Sequence, residues 1–348
     1  MPALYPATLH PLVLNTLRHR PAPHPSPVDA VLIRNPVSGN PALQRAVFRA
    51  LDEFSAAGWE VDVWETRRRG HCRELASQAV QAGYPRIIIA GGDGSIQQTV
   101  DGIIQAGSTS VRLGIIPLGT GNVFARDVGL PVPGRLNPDA TVQAARIILQ
   151  GDAEWVDVGL ANGHAFLCWA GVGLDALATD KVERHLEFKR RAPVTTYVAE
   201  ALRTIYAFRA GRVRVVVDDK EEIEGAFPLV VAANISLYAR WFQVAPDARL
   251  NSGRLNLLIF DRNDPIRLTY VALKLLRSPH TDDSHIIRRQ FQTLDVYADP
   301  PVLYHLDGDP VGYVPLHVEV LPRRLPIYLD RRRAARRLLN HTRSVPGP

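Results

Sequence analysis

Cysteine and long apolar runs are both scarce in this sequence. Of its 348 residues only Cys72 and Cys168 are cysteines, and they make neither a disulfide framework nor a metal-ligand pattern. No apolar run reaches the roughly 18 residues that a membrane-spanning helix needs. The N-terminus lacks the charged-then-apolar pattern of a secretory signal, because prolines interrupt it. These absences predict a cytoplasmic protein without a membrane span.

Several motifs of common enzyme classes are absent as well. The sequence has no G-x-x-x-x-G-K-[ST], and no G-x-G-x-x-G follows its first predicted strand. These absences exclude a Walker-type NTPase and a classical dinucleotide dehydrogenase. No G-x-S-x-G elbow marks a serine hydrolase, and the 11 histidines include no H-x-x-x-H pair for zinc.

Positive charge, in contrast, is in excess. The formal net charge is +6, and arginine and lysine cluster in three runs, Arg67–Arg69, Lys189–Arg191 and Arg331–Arg337. Each run alone is more typical of a solvated face, but together they favour an anionic partner. No aromatic residues interleave them as a nucleic-acid stacking surface would need. We therefore expect a phosphorylated ligand or an anionic membrane surface, and no nucleic acid.

The chain is predicted to hold two domains between two terminal segments. Residues 1–28 contain seven prolines and read as a disordered tail. Residues 29–153 alternate predicted strands and helices as β-α-β-α-β-α-β, which indicates a parallel sheet covered by helices on both faces. Residues 154–322 are rich in short strands and predict a sandwich-like domain. Residues 323–348 are expected to include a basic helix and to pack back on the first domain.

Three glycine-containing loops follow the first, third and fourth predicted strands: NPVSGN, GGDGS and PLGTGN. The carboxyl ends of parallel strands share one edge of a sheet, where ligands bind. Glycine loops that open into helices offer backbone N–H groups to phosphate. Ser95 is predicted to cap the following helix, with Gln98 completing a capping box. Asp93 inside the loop would repel a polyphosphate unless it holds Mg²⁺.

The ordered blocks along the chain resemble those of the diacylglycerol kinase catalytic-domain family. NPVSG, GGDGSIQQTVDGI and IIPLGTGNVFARDVGLP resemble its nucleotide blocks, and AGVGLDA and LDGDPV resemble later ones. G-G-D-G alone also marks NAD kinases and phosphofructokinases, so the order of the blocks carries the resemblance. It covers about 300 of the 348 residues.

The resemblance implies an α/β nucleotide domain of the NAD kinase and diacylglycerol kinase type, a larger β-rich sandwich-like domain, and a lipid entering the cleft between them. It implies an ATP- and Mg²⁺-dependent kinase that phosphorylates a lipid hydroxyl, diacylglycerol-like or sphingoid-like, and visits an anionic membrane surface. Asp93 would position the metal. The implied nucleotide-binding residues are Asn35, Ser38, Gly39, Thr66, Gly91, Gly92, Asp93, Gly94, Ser95, Gly119, Thr120 and Asn122.

The late LDGDPV block carries the implied chemistry. Phosphoryl transfer needs an acceptor for the proton of the attacking hydroxyl. Asp307 matches the proposed general base of the family, and Asp309 stands in place of its glutamate. Ser252 occupies the position of an acid that holds a structural Mg²⁺ in many bacterial members. Trp241 and Phe242 could equally be an acyl-chain wall or core residues.

Two other functions remain open at this point. The departures at Ser252 and Asp309 fit a catalytically silent nucleotide- or lipid-binding regulator of the same fold. The shared G-G-D-G fits a kinase of a soluble nucleotide or sugar. The sequence names neither the lipid nor the oligomeric state.

Overall fold

The computed structural model describes residues 28–177, 211–238, 242–261, 286–331 and 334. Nearly all of the proline-rich tail lies outside these residues. So do Lys189–Arg191, Trp241, most of the predicted basic C-terminal helix, and residues 264–278, whose sequence also predicts a helix. The described chain forms two compact units. The first comprises the described residues up to Asn122 with Leu130–Glu154 and Pro326–Asp330, and the second holds the remainder. The predicted domain limits stay a prediction. The compact units divide the chain differently, since Val123–Gly129 belongs to the second unit.

The first unit is a parallel sheet with helices on both faces, as predicted. Its strands follow the order β2-β1-β3-β4. The end of the last strand of the chain continues this sheet, since Ile327 pairs in parallel with Leu113. The elements are β1 (Ala30–Arg34), α1 (Pro41–Ala56), β2 (Val61–Glu65), α2 (His71–Gln81), β3 (Arg86–Gly91), α3 (Asp93–Gln105), β4 (Arg112–Pro117), α4 (Val123–Asp127, in the second unit) and α5 (Ala140–Gln150).

The central strands are apolar on both sides because both faces are covered. Ala30–Ile33 and Ile87–Ile89 are all fully buried, as expected for a doubly covered parallel sheet. Helices α1 and α5 pack together, and so do α2 and α3. One face of the sheet contributes Leu32 and Ile88 to a core with Phe54 of α1 and Ile148 of α5. The sheet therefore holds the loops at its carboxyl edge on a rigid base.

The second unit is antiparallel and β-rich, which confirms the predicted sandwich-like architecture. One sheet has the order β14-β13-β10-β7-β16-β17, and another contains β18-β15-β8-β9, with β5 pairing to β18 and β6. The strands are β5 (Ala153–Ala161), β6 (His164–Phe166), β7 (Trp169–Gly173), β8 (Arg212–Val217), β9 (Glu221–Gly225), β10 (Leu229–Ala233), β11 (Leu237–Tyr238), β12 (Phe242–Gln243), β13 (Leu255–Phe260), β14 (Ile286–Phe291), β15 (Thr293–Asp299), β16 (Leu303–Leu306), β17 (Asp309–Tyr313) and β18 (Leu316–Tyr328).

Inward side chains of both sheets make one core. Alternate residues of β8, Val213, Val215 and Val217, pack with Leu257 of β13 and Leu306 of β16. This alternation is typical of sheets with one buried face. Among the described residues, no helix is long and apolar enough to cross a membrane.

Both cysteines are free thiols packed in the interior. Cys72 on α2 is 3% exposed and Cys168 is 2% exposed. Burial raises the pKa of Cys72 to about 11, although hydrogen bonds with Ser95 and Thr99 act to lower it. Because the thiolate is the reactive form, Cys72 is unreactive at neutral pH.

We predict that neither thiol of the folded protein reacts with Ellman's reagent at pH 8 within minutes, while two react per chain in guanidinium chloride. Burial blocks access to both sulfurs, and at this pH Cys72 is protonated. Rapid reaction of even one thiol per native chain would contradict the packing described.

Candidate functional site

The carboxyl edge of the parallel sheet contains the point where the strand order reverses. From β1 the chain runs outward to β2, whereas β3 lies on the other side of β1. Loops that leave neighbouring strands in opposite directions open a crevice, where ligands bind in such folds. The crevice lies between the ends of β1 and β3, after Arg34 and Gly91.

Asn35 ties the two sides of this crevice together. Its Nδ2 donates to Ser95 Oγ over 2.9 Å, and its backbone N–H donates to the carbonyl of Ala90 over 3.0 Å. The side-chain oxygen of Asn35 accepts the N–H of Val37 at 3.2 Å, which closes a local turn. Asn35 thus joins the β1 loop to the first turn of α3.

Glycine is required where the loops after β3 and β4 meet. A Cβ on Gly119 would lie 2.8 Å from Gly92 Cα, and a Cβ on Gly92 would lie 3.2 Å from Gly119 Cα. The β1 loop reaches the same place, since a Cβ on Gly39 would lie 2.6 Å from the carbonyl oxygen of Leu118. Three loops therefore meet backbone to backbone. Gly91 is constrained differently, because its Cβ would collide with Ser95 Cβ at 2.5 Å.

Helix α3 begins at Asp93, so the predicted cap by Ser95 and the predicted capping box are wrong. Gly92 precedes the helix in an extended conformation and no side chain caps it. The first intrahelical hydrogen bond runs from Ile96 N–H to Gly92 O over 3.0 Å. Ser95 lies within the first turn, where its hydroxyl accepts the bond from Asn35. The N–H groups of residues 93–95 therefore point out of the positive end of a helix of 13 residues.

Asn122 contributes a buried oxygen to the same edge. It is 1% exposed and has the left-handed φ of 48° that asparagine tolerates. Its Nδ2 donates to Gly119 O over 2.7 Å, which fixes the orientation of the amide, because a flipped amide would face two oxygens to each other. Its Oδ1 has no hydrogen-bond partner among the described residues.

The predicted nucleotide-binding residues lie at or after the ends of β1, β2, β3 and β4. Thr66 is buried beside the end of β1, where its N–H donates to Arg34 O over 2.9 Å. The carbonyl of Ser38 accepts Gln44 Nε2 at 2.6 Å. Thr120 is exposed in the β4 loop. The structure thus gathers along one edge the residues that the sequence spreads over almost 90 positions.

These residues fit a magnesium ion that also binds phosphate oxygens. Mg²⁺ keeps several of its waters and takes one or two protein oxygens with substrate phosphates. The Oδ1 of Asn122, which has no hydrogen-bond partner among the described residues, faces the Gly119 backbone. It lies 2.9 Å from the position that a Cβ of Gly119 would take, and the backbone nitrogen of Asp93 lies 3.7 Å from that same position. The described residues contain no group of three acidic, histidine or cysteine side chains that could form an all-protein metal cage.

Asp307, in the second unit, is anchored by three backbone N–H groups. Its Oδ1 accepts from Cys168 and Trp169 at 2.8 Å each, and its Oδ2 accepts from Leu167 at 2.9 Å. The carboxylate is buried, with 8% of the residue exposed, and φ is 50°. Both oxygens thus hold the turn between β6 and β7. Asp309, two residues on, is half-buried at the start of β17.

A cluster that the sequence analysis does not predict lies beside this turn. His305 Nε2 is 2.8 Å from Asp175 Oδ2, and the hydroxyl of Tyr238 also donates to that oxygen. Burial is the largest influence and acts to lower the pKa of His305, but the carboxylates of Asp175, Asp307 and Asp309 together outweigh it, so the pKa is raised. Burial and Asp175 raise the pKa of Tyr238, so its hydroxyl keeps its proton. Asp175, within AGVGLDA, is the only residue of this cluster that lies in a motif recognised from the sequence.

Ser252 lies in a turn held by a buried acid. Asp157 Oδ2 accepts the N–H of Gly253 at 2.6 Å and its Oδ1 accepts the N–H of Arg323 at 2.8 Å. Burial raises the pKa of Asp157, while these N–H groups act to lower it. The Ser252 hydroxyl is 2.9 Å from the carbonyl of Arg254, to which it donates. The Asp157 carboxylate thus holds the turn from outside, while the Ser252 hydroxyl bonds to the main chain within it.

Of the predicted lipid-contacting pair, the described residues include only Phe242. Its backbone pairs with Tyr238 in the two-stranded β11–β12 ribbon. A role for Trp241 and Phe242 at an acyl chain stays a prediction.

Comparisons with known proteins match both units. Residues 29–161 match the diacylglycerol kinase catalytic domain, and residues 169–329 match the YegS C-terminal NAD kinase beta sandwich-like domain. A diacylglycerol kinase of Bacillus subtilis (strain 168) is 28% identical over 305 residues, or 88% of this chain and 97% of that protein. A diacylglycerol kinase of Staphylococcus aureus (strain JH9) is 25% identical over 299 residues, or 86% and 91%.

A solved structure shares the fold. The crystal structure of a diacylglycerol kinase from Bacillus anthracis str. Sterne superposes with a TM-score of 0.66 at 19% identity, covering 87% of this chain and 97% of that one. At this identity the match concerns the fold.

We predict that Gly119→Ala lowers the free energy of unfolding by about 1–3 kcal/mol, because the added methyl group would overlap Gly92 Cα and Asn122 Oδ1. Urea unfolding followed by fluorescence measures the change. Gly134→Ala is the matched control, since a Cβ there meets nothing within 4 Å. Equal stability of the two variants would contradict the contact between the loops.

Proposed function

We propose that this chain, which belongs to the diacylglycerol kinase catalytic-domain family, transfers the γ-phosphoryl group of ATP to the hydroxyl of a lipid. The observation that carries the proposal is the meeting of the β1, β3 and β4 loops at the N-terminus of α3. Backbone N–H groups and the positive end of a helix are what a polyphosphate needs. The relatives named above are diacylglycerol kinases, which supports a lipid as the acceptor.

The phosphates of ATP would lie against residues 93–95 and the β4 loop. Bare backbone at Gly92 and Gly119 keeps this surface free of side chains, and Asn35 holds the first turn of α3 in place. Thr66 and Thr120 would contribute hydroxyl groups at its ends. These residues orient the γ-phosphate, and orientation is a major part of catalysis in phosphoryl transfer.

Mg²⁺ would be held by Asp93, with the Oδ1 of Asn122 as a further oxygen of the site. When bound, the ion neutralises charge on the phosphate oxygens. Asp93 offsets part of the positive field at the helix N-terminus, so the residues at this edge suit a metal–phosphate complex better than a bare polyphosphate.

The hydroxyl proton would go to the acid-bearing turn of residues 307–309. Asp307 remains a candidate for this role, but its two oxygens already accept three N–H bonds. Hydrogen bonds to a carboxylate favour its charged form and weaken it as a base. We therefore favour a division of roles in which Asp307 holds the turn and Asp309, which is half-buried, accepts the proton.

The surface around Asp309 is suited to a membrane. Strand β17 is the edge of its sheet, and Val311 and Tyr313 on it are 43% and 62% exposed. We propose a cytoplasmic protein that binds anionic membranes reversibly, helped by its excess of basic residues, each of which adds about 1 kcal/mol when it is near such a surface.

We predict that Asp309→Asn lowers kcat about 100-fold or more with the KM for ATP unchanged, since general-base catalysis contributes that much. Transfer from γ-labelled ATP, with Mg²⁺, to total membrane lipid in mixed micelles measures it. Asp307→Asn would place an amide NH₂ against buried N–H donors and lower stability by about 1–3 kcal/mol.

Asp219→Asn is the matched control, an exposed aspartate at φ 54° in a hairpin turn of the same unit. If Asp307→Asn abolishes transfer at unchanged stability while Asp309→Asn remains active, Asp307 is the base. A wild-type protein that binds ATP but labels no lipid would instead support the silent regulator.

We predict that Val311→Ser with Tyr313→Ser weakens sedimentation with anionic phosphatidylglycerol vesicles several-fold, because exposed apolar side chains are lost from β17. Leu136→Ser is the control, since Leu136 is fully exposed in the first unit. Wild-type binding that is indifferent to anionic lipid and to salt would contradict membrane contact.

A further inference from the structure

Both ring nitrogens of the buried His305 have a partner. Nε2 lies 2.8 Å from Asp175 Oδ2, and Nδ1 lies 3.1 Å from the backbone nitrogen of Gly308. Since the Gly308 N–H can only donate, Nδ1 must accept and carries no proton. The ring proton is therefore on Nε2, which donates to Asp175.

Asp175 is itself held in one orientation. Its Oδ1 accepts the N–H of Ala176 at 2.8 Å, and its Oδ2 accepts the Tyr238 hydroxyl as well as the histidine. Gly171 makes the room for this pair. A Cβ at that position would lie 2.1 Å from Asp175 Oδ2 and 2.4 Å from His305 Nε2. Strand β7 therefore carries no side chain at Gly171, where Asp175 and His305 pack against its backbone.

The hydrogen bonds that run from Tyr238 through Asp175 and His305 end at the turn of residues 307–309. Asp307 and Gly308 both have positive φ, 50° and 94°, and form the two-residue turn between the paired residues Leu306 and Asp309, a position that favours Asp-Gly. The side chain of Asp307 holds one side of the turn on the N–H groups of residues 167–169. His305 Nδ1 holds the peptide that joins Asp307 to Gly308, one residue before Asp309.

Aromatic packing keeps the cluster rigid. The ring of Trp169 lies edge-on to Tyr238 with centroids 5.3 Å apart, and edge-on to His305 at 6.4 Å. Trp169 is 5% exposed, and its Nε1 has no hydrogen-bond partner among the described residues.

We propose that His305 is a positioning residue for phosphoryl transfer: through Nδ1 it fixes the Gly308 peptide and hence Asp309, while Asp175 and Tyr238 fix the ring. This inference rests on the proposed function and adds three residues to it. The titratable groups that face His305 are Asp175, Asp307 and Asp309, with Tyr238 reaching it through Asp175.

Two substitutions separate the two nitrogens. In His305→Asn the amide oxygen can take the place of Nδ1 and still accept the Gly308 N–H. In His305→Gln the longer amide can take the place of Nε2 and reach Asp175, but the acceptor for Gly308 is lost. We expect His305→Gln to lower kcat about 10- to 100-fold with an unchanged KM for ATP, as a small misplacement does. His305→Asn should retain most of kcat.

His317 supplies the matched control, because its Nδ1 makes a 2.8 Å bond to Asp295 on an exposed face of the same unit. His317→Gln and His317→Asn should both leave kcat unchanged. Equal kcat in the two His305 variants, whether both are normal or both are reduced, would overturn the proposal.

Nuclear magnetic resonance tests the same bond without any assay of transfer. Imidazole nitrogen shifts of the wild-type protein should show His305 protonated on Nε2 at pH 8, and the Gly308 amide should exchange slowly with solvent. The amide should stay protected in His305→Asn and lose protection in His305→Gln. A proton on Nδ1, or an unprotected Gly308 amide in the wild-type protein, would refute the proposal. If these signals are as expected but no lipid is labelled, the proposed function fails and the hydrogen bond stands.

Discussion

The close approach of the Gly92 and Gly119 backbones is the constraint on which the first unit depends at its carboxyl edge. A parallel sheet brings loop ends to one edge, but side chains would normally keep those loops apart. Here a Cβ on either glycine would be too close to the other loop. The contact lets α3 begin at Asp93 and brings Asn122 beneath Gly119. The surface here is free of side chains because the two backbones already need glycine at these positions, whether or not a ligand binds.

In the second unit, buried carboxylates hold the loops by accepting hydrogen bonds from them. Asp307 accepts three main-chain N–H groups, Asp157 accepts those of Gly253 and Arg323, and Asp127 accepts both the N–H and the hydroxyl of Ser236. A buried carboxylate is stable only when its oxygens are satisfied, and charge-assisted bonds to backbone are strong. Each acid therefore fixes loops that the antiparallel sheets alone would leave loose.

The elements that could be predicted are those with a local signal. Four predicted strands punctuated by glycine-containing loops indicate the parallel sheet, which the structure confirms. The sequence does not predict strands β9 and β14, because charges occupy much of EEIEG and IIRRQF, and it does not predict α5 in spite of the amphipathic spacing of that segment. The cap at Ser95 failed because a glycine can lead into a helix without any side-chain cap.

The sequence by itself determined the parallel sheet and the edge of that sheet on which the three glycine-containing loops lie, because strand periodicity and glycine punctuation are local properties. Only the tertiary structure decided what each residue touches. Asp307 meets its donors across 138 to 140 positions, and His305 meets Asp175 across 130. Contacts at such separations depend on strand register and loop closure, which no local pattern encodes. For that reason Asp307 reads as a base in the sequence, while in the structure it also anchors a turn.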